Sequence, residues 1–87
     1  MNTFKLRILT TNAPFYRSDS VVMLTFNTTD GKYGVAANHQ NMLGTVRAGE
    51  IVFREENGEN VKARVSDGII KIKNNRAVIL VEEADKI

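Results

Sequence analysis

The chain has 87 residues, with 12 Lys and Arg against 10 Asp and Glu, a formal net charge of +2 and no cysteine. This length fits one domain, residues 1–87, and the lack of thiols excludes disulfides and cysteine-ligated metal sites. No apolar stretch approaches the ~18 residues of a membrane span and no signal-peptide pattern opens the chain, so we predict a soluble, cytoplasmic protein.

The first third of the chain has the pattern of short strands separated by turns. Apolar and charged residues alternate over 4–8, which is typical of a half-buried strand. Pro14 cannot donate to a ladder and is predicted at a turn or a sheet edge, before a short strand at 15–16. The polar residues 18–20 predict a turn, and the apolar run 21–26 predicts a central strand covered on both faces.

The segment from Asp30 to Gly49 differs from the rest of the chain. It holds four of the six glycines and the only histidine, with few residues able to build a core. We interpret it as a loop-rich segment that opens with an Asp30-Gly31 turn and contains one possible helical turn at 41–43. Loops on a rigid scaffold commonly carry binding residues, so this segment is the first candidate for function.

The next stretch has the pattern of a hairpin. Ile51 and Phe53 share one face of a predicted strand over 50–54. Asn57-Gly58 predicts a type I′ turn, which needs positive φ at both central residues. The return strand over 61–65 alternates apolar and basic residues, with the apolar ones facing inward.

The last part of the chain predicts a second hairpin. Ile70 and Ile72 alternate with lysines, Asn74-Asn75 forms the turn, and the apolar run 77–81 is the return strand. Residues 82–87 are predicted to form a short acidic tail. The whole pattern predicts an all-β fold, a small flattened β-sandwich or barrel of about eight to ten short strands in a single domain.

Residues that could support catalysis are scarce. With one histidine and no cysteine, Cys-His chemistry is excluded, and the three serines lie in or beside predicted turns. Glu55, Glu56 and Glu59 gather around the first hairpin tip, where exposed acids in water are favoured over a catalytic carboxylate pair. The spacing of Gly31 and Gly34 lacks the pattern of a phosphate loop. We predict no catalytic residue, no cofactor and no metal, and therefore not an enzyme.

Three stretches of the sequence, taken in order, resemble the N-terminal β-sandwich domain of the epsilon subunit of F-type ATP synthases. The opening FKLRILTTNAPFYRSDSVVMLTF is similar to that family's alternating strand, break, aromatic residue and Val-rich strand. The central DGKYGVAANHQNMLGTVRAGEI resembles its pattern of glycines, histidine and leucine before a strand. The closing VSDGIIKIKNNRAVILVEEADKI resembles its serine-glycine turn, hairpin and Val-rich strand. The family commonly continues into a C-terminal helical hairpin, which we do not expect in these 87 residues.

The resemblance implies a non-catalytic stalk subunit that links the gamma subunit to the c-ring and helps to couple proton or sodium flow to ATP synthesis. It implies a peripheral location, through the complex, on the cytoplasmic face of a bacterial inner membrane. By position, it implies the gamma-binding residues His39, Gln40, Met42, Leu43 and Thr11. It also implies a ring-facing loop with Asp30, Lys32 and Tyr33, in which Lys32 stands where the family usually has an acidic residue.

Alternatives stay open for these residues and for the function. His39 can be an ordinary surface histidine, and Met42 and Leu43 can equally belong to the core. The resemblance involves no nucleic acid, but the alternative function is a free-standing β-barrel that binds single-stranded nucleic acid, with Phe or Tyr stacking on the bases. Its basic sheet face would consist of Lys5, Arg7, Lys62, Arg64, Lys71 and Lys73.

Overall fold

Alternating apolar and polar residues produce nine strands and no helix among residues 2–87, which the computed structural model describes. The strands are β1 (Phe4–Thr10), β2 (Pro14–Thr28), β3 (Gly31–Ala36), β4 (Met42–Val46), β5 (Gly49–Glu55), β6 (Asn60–Val65), β7 (Gly68–Lys73), β8 (Arg76–Val81) and β9 (Ala84–Lys86). The predicted all-β class is confirmed, with a strand number inside the predicted range.

The strands hydrogen-bond into one folded sheet. Its order is β4-β7-β8-β1-β2-β5-β6-β9, and β3 pairs with β2 beside that path. Neighbours are antiparallel except β1 and β8, which run parallel from the Lys5–Arg76 pair to the Thr10–Val81 pair. The β1 half (β4, β7, β8 and β1) and the β5 half (β3, β5, β6 and β9) bury their inner side chains in one core. The sheet is therefore folded into a β-sandwich, and the outer faces of its halves point in opposite directions.

One apolar core fills the space between the halves. Its largest fully buried side chains include Leu6, Ile8, Leu24, Phe26, Ile51, Phe53, Ile70 and Ile79. As predicted, the apolar residues of β6 face this core while Lys62 and Arg64 are exposed. The apolar run 21–26 is not covered on both faces, since Met23 is 45% exposed. The prediction was wrong because a two-layer fold has only one interior.

β2 continues through the residues where a turn was predicted. Residues 15–16 and 18–20 both belong to one strand of 15 residues. Its first part pairs with β1 and its second part with β3 and β5. The β1 register shifts between the Leu6–Ser18 and Phe4–Val21 pairs, a bulge that bends β2 from one half to the other. The predicted turn is absent because the two serine hydroxyls donate to the buried side chain of Glu55, and the local bond that remains, from the Ser20 N–H to the Ser18 hydroxyl oxygen at 3.2 Å, forms within the strand.

The segment Asp30–Gly49 is mostly strand rather than loop. It contains β3 and β4, which pair with β2 and β7, and residues 41–43 form no helical turn. The small residues of this segment form backbone hydrogen bonds with these neighbouring strands. Because β7 is distant in the sequence, the local composition does not reveal this pairing. The connecting loop is 37–41, with Asn38 in the left-handed region at φ 63°.

One of the two hairpin turns differs in type from the sequence-based expectation. The type I′ turn lies at Asn74-Asn75, where φ is 52° and 62°. At Asn57-Gly58, where it was predicted, only Gly58 has positive φ, and its N–H donates to the Glu55 carbonyl at 2.9 Å. This is a three-residue loop that closes with a left-handed glycine. Asn-Gly suits both loop types, and the Arg54–Asn60 register decides between them.

The C-terminal residues form a ninth strand instead of a free acidic tail. Residues 84–86 pair with β6 through contacts such as Val65–Ala84, and Ala84 packs against the core. The Ser66 hydroxyl accepts the N–H groups of residues 82–83 at 3.1 and 3.0 Å, which supports the turn into β9. One small apolar residue among charges has too little periodicity to predict such a strand.

Candidate docking surface

Tyr33 and His39 form a cluster that joins β3 to the loop after it. The Tyr33 hydroxyl and His39 Nε2 are 2.8 Å apart, and the two rings meet edge-on with centroids 5.7 Å apart. Tyr33 in turn packs against the buried ring of Phe26, with centroids 5.5 Å apart. His39 is therefore held at the margin of the core rather than free in a loop.

The hydrogen bonds assign the tautomer of His39. Its Nδ1 lies 2.7 Å from the Gln40 carbonyl oxygen, which can only accept, so Nδ1 carries the hydrogen. In the neutral ring Nε2 then accepts from the Tyr33 hydroxyl. Both ring nitrogens have partners within the protein, so His39 offers a partner its ring surface rather than a free nitrogen.

The loop 37–41 is fixed to the type I′ turn. The Asn38 N–H donates to the side-chain oxygen of Asn75 at 2.7 Å, and the Asn74 N–H donates to the side-chain oxygen of Asn41 at 3.1 Å. These bonds tie the connection between β3 and β4 to the start of β8. An exposed loop held in this way presents His39 in one defined position.

Met42 and Leu43, neighbours in β4, lie on opposite sides of the strand. Met42 is half-buried and packs against the core, whereas Leu43 is 72% exposed. Successive side chains of a strand point to opposite faces, so the core interpretation and the surface interpretation each apply to one of the two residues. Met42 supports the core, and Leu43 lies at the surface.

Leu43 belongs to an exposed apolar patch on the outer face of the β1 half. Ile69 and Leu80 are a cross-strand pair, 45% and 44% exposed, one row along the sheet from Leu43. We call Leu43, Ile69 and Leu80 the apolar patch. Single exposed apolar residues are ordinary, but neighbouring ones on a flat face are typical of interaction surfaces.

Sequence reasoning missed Ile69 and Leu80. The signal was present, because two consecutive isoleucines in a strand cannot both face inward, and Ile70 is fully buried. The uninterrupted apolar run of β8 carries the same information, since a two-layer fold leaves one of its faces outside.

Thr11 and His39, both predicted to contact the gamma subunit, lie at opposite ends of the β1 half. The Thr11 hydroxyl donates to the Glu82 carbonyl at 3.4 Å, just beyond the end of β8. The His39 loop is bound to Asn75 at the start of β8. Six residues of strand at ~3.3 Å each put roughly 17–20 Å between them, and the apolar patch lies between these ends.

The residues predicted to face the ring also separate into two places. Asp30 and Lys32 lie at the exposed β2–β3 turn, where Lys32 Nζ donates to the side-chain oxygen of Asn27 at 3.4 Å. Tyr33 follows directly in the chain, but its hydroxyl is engaged by His39. Within residues 2–87 neither charged side chain of the turn forms an ion pair, so the turn presents one charge of each sign to solvent.

The six basic residues of the nucleic-acid alternative do not share a face. Four lie on the outer face of the β1 half and two on the outer face of the β5 half; they are Lys5, Arg7, Lys71 and Lys73, and Lys62 and Arg64. These faces point in opposite directions, so the single basic sheet face on which that alternative depends is not formed.

A buried carboxyl group, which the sequence interpretation placed at an exposed hairpin tip, joins β5 to β2. Glu55 is 8% exposed and accepts hydroxyl hydrogen bonds from Tyr16 at 2.5 Å, Ser18 at 2.6 Å and Ser20 at 3.2 Å. Burial, and then the contact with Glu55, raise the pKa of the Tyr16 phenol above its ordinary range. The sequence pattern that indicates this burial is the alternation of β5, which directs residues 51, 53 and 55 to the same side.

The described part of the chain offers contact surfaces rather than a metal centre. Residues 2–87 contain no group of three or more His, Asp or Glu side chains placed to hold a metal ion. In that same range no helix has the length and apolar character needed to cross a membrane. The surfaces are the Tyr33–His39 cluster, the apolar patch and the β2–β3 turn.

The sequence matches one protein family over almost its whole length. Residues 3–87 match the family described as ATP synthase, Delta/Epsilon chain, beta-sandwich domain. The chain is 31% identical over 85 residues to the ATP synthase epsilon chains of Caldicellulosiruptor bescii and of Staphylococcus aureus strain JH9. These alignments cover 98% of this chain but 61% and 63% of the relatives. The chain thus spans about three fifths of the length of the curated relatives it matches.

Two solved structures contain chains with this fold. One is the Euglena gracilis mitochondrial ATP synthase (OSCP, F1 and c-ring, rotational state 1), with a TM-score of 0.92 and 20% identity over 99% of this chain and 54% of that one. The other is the Tetrahymena thermophila mitochondrial ATP synthase (central stalk and c-ring), with a TM-score of 0.81 and 13% identity over 98% of this chain and 69% of that one. At such identities the likeness concerns the fold, and membership rests on the family match. The chain belongs to the ATP synthase delta/epsilon chain family, as a β-sandwich domain of that family.

Proposed function

We propose that the chain acts as a non-catalytic central-stalk subunit of a rotary F-type ATP synthase. It links the gamma subunit to the c-ring, supports the coupling of proton or sodium flow to ATP synthesis, and is held by the complex at the cytoplasmic face of a bacterial inner membrane. The observation that carries this proposal is the family match over residues 3–87. The names of the relatives, ATP synthase epsilon chains, support it.

The gamma subunit binds the outer face of the β1 half. A stable subunit contact has an apolar centre and a polar rim. The apolar patch supplies such a centre, and the polar side chains of Gln40 and Thr11 lie toward its two ends. The ring surface of His39 adds an aromatic contact next to Gln40.

The c-ring is met by the β2–β3 turn. This turn projects from a paired hairpin, since Thr28 and Gly31 are partners, so its position is defined by the sheet. Asp30 and Lys32 present charged groups suited to polar loops, and Lys32 places a positive charge there. The Tyr33–His39 hydrogen bond ties this hairpin to the loop on the gamma side, which makes the connection between the two contacts stiff.

Binding to a purified gamma subunit from the same organism tests the proposal. Leu43→Ser and Leu80→Ser should each weaken binding by about tenfold or more, because truncating a central apolar contact typically loses 1–2 kcal/mol or more. Met23→Ser is the matched control, since Met23 is 45% exposed against 44% for Leu80 but belongs to β2 beside β3. It should change the affinity less than about twofold.

Three results would contradict the proposal. The first is an unmodified chain that fails to bind gamma at all. The second is a loss of binding in Met23→Ser equal to that in Leu80→Ser, which would remove the apolar patch as the contact. ATP hydrolysis by the purified chain would contradict its non-catalytic role.

A further inference from the structure

A groove of about 680 Å³ lies on the outer face of the β1 half, beside the type I′ turn. Four basic side chains line it, those of Lys5, Lys71, Lys73 and Arg76. Asp19 is the one acidic residue of its lining, and its carboxylate is bound by Arg7 at 2.8 Å. The groove shares no residue with the apolar patch.

The strand register places three of these cations in a row. Lys73 of β7 is directly opposite Arg76 of β8, and Arg76 is directly opposite Lys5 of β1. Neighbouring strands are only about 4.8 Å apart, so like charges in such positions repel each other. Within residues 2–87 none of the three forms an ion pair. The Asp19 carboxylate, which is bound by Arg7 and also attracted to Lys5, offsets part of this repulsion.

The opposite outer face shows that the fold does not require such a row. There, Glu50 of β5 is opposite Arg64 of β6, and Arg64 is opposite Asp85 of β9. Charges of alternating sign thus cross three strands, and Arg64 and Glu50 lie 4.0 Å apart. A row of three adjacent cations is therefore a property of one face, and an anionic ligand there would relieve the repulsion that Asp19 does not offset.

One wall of the groove is held in place before any ligand binds. The Asn75 side chain donates to the Thr3 carbonyl at 2.8 Å and accepts the Asn38 N–H at 2.7 Å. The Asn74 side chain, also in the lining, makes no hydrogen bond among residues 2–87 and is available to a ligand. A fixed wall with a free amide reduces the entropy lost on binding.

We propose that this groove binds the polyphosphate group of a small soluble anion. Arg76 offers a paired set of N–H donors and the lysines offer point charges, the combination that suits phosphate oxygens. A group with several phosphates bridges neighbouring cations, which one orthophosphate does less well. The apolar members of the lining are Phe4, which is 3% exposed, and half-buried Val78. The groove therefore offers little for stacking a base or anchoring a peptide.

Calorimetric titration of the 87-residue chain with sodium triphosphate tests this site. Triphosphate should bind about tenfold or more tightly than orthophosphate, and less tightly as salt is raised. The double variant Lys73→Gln/Arg76→Gln should weaken triphosphate binding by about tenfold or more. The control Lys62→Gln/Arg64→Gln removes the same charge from the opposite outer face and should change the affinity less than about twofold.

Folding and ligand source are checked separately. The groove variant should unfold at a temperature equal to or above that of the unmodified chain, because it relieves repulsion. Absence of triphosphate binding, equal binding of orthophosphate, or equal loss in both double variants overturns the proposal. Sedimentation with vesicles of anionic phospholipid, without binding of triphosphate, overturns it in favour of a membrane surface. The titration contains no gamma subunit, so failure of gamma binding leaves its result unchanged, although Lys71 of the groove lies directly opposite Leu43 of the apolar patch.

Discussion

Replacing Glu55 with glutamine is expected to lower the free energy of unfolding by about 2 kcal/mol. The carboxyl group is 8% exposed and accepts hydrogen bonds from Tyr16, Ser18 and Ser20. Glutamine keeps the shape but has only one accepting oxygen. Its amide nitrogen must therefore face either the Tyr16 hydroxyl or the two serine hydroxyls, and the bonds that remain lose the charge on their acceptor.

The magnitude follows from the number and kind of these bonds. A hydrogen bond to a charged group contributes about 1.5–3 kcal/mol, and a neutral one about 0.5–1.5 kcal/mol. Weakening two bonds and disturbing a third loses about 3–4 kcal/mol, and removing a charge from a buried site returns part of that. A net loss of about 2 kcal/mol corresponds to a Tm lower by about 8–16 °C in a domain of this size.

Thermal and urea unfolding at neutral pH, followed by circular dichroism, measure the effect. Glu56→Gln is the control, because it changes the same charge at the next, exposed residue and should alter stability by about 0.5 kcal/mol or less. A double-mutant cycle of Glu55→Gln with Tyr16→Phe should show a coupling of about 1 kcal/mol or more. Equal stability of the Glu55 and Glu56 variants, with no coupling to Tyr16, would refute the structural role of this network.

Three further predictions concern the phenol, the type I′ turn and one crowded glycine. In the variant Tyr33→Phe, Tyr16 is the only tyrosine, and its phenolate absorbance should develop above the ordinary tyrosine pKa of about 10. The stability due to the raised pKa of Tyr16 should persist below pH 10 and fall as the pH rises beyond it. A normal titration would contradict the burial of that hydroxyl. Asn74→Ala should lose about 1–2 kcal/mol in urea unfolding because φ is 52°, whereas Asn74→Gly should lose less, and the reverse order would exclude backbone strain as the cause. Gly68→Ala should lose about 3 kcal/mol or more in thermal unfolding, because a Cβ there would lie 2.0 Å from the Leu80 carbonyl oxygen, and an unchanged Tm would show that β8 can move away.

The strands with strict alternation were predictable from the sequence. The predicted strands 50–54 and 61–65 agree with β5 and β6 within one residue at each end. Such a pattern leaves only one face that can be buried, so local information determines both the strand and its orientation. The same alternation, extended by one residue, places Glu55 inward beside the core.

The path of β2 through its serines could not be predicted locally. Ser18 and Ser20 favour turns when they compete for nearby backbone groups. Their actual acceptor, Glu55, lies 37 and 35 residues further along the chain. A turn preference measured on neighbours in sequence is overridden when a buried acceptor comes from another strand.

The fold groups the residues of the candidate site differently from the sequence-based prediction. The resemblance assigned Tyr33 to the ring side and His39 to the gamma side, six residues apart. Their hydrogen bond places them in one cluster, because the chain turns back over β3 after Ala36. Which residues meet across a loop depends on its path, and here the asparagines of the loop and of the type I′ turn determine that path.

Charges that are evenly spread along the sequence are unevenly spread over the folded surface. Basic and acidic residues are interspersed along the chain, a pattern typical of a solvated sheet face. Parallel pairing of β1 with β8 then brings Lys5 beside Arg76 from the far end of the chain. An acidic residue at position 76 would preserve the alternation of β8 and its inward side chains, and would give the row alternating signs. Formation of this sheet therefore does not require three adjacent cations. The local row, rather than the small net charge, is the feature that a bound anion explains.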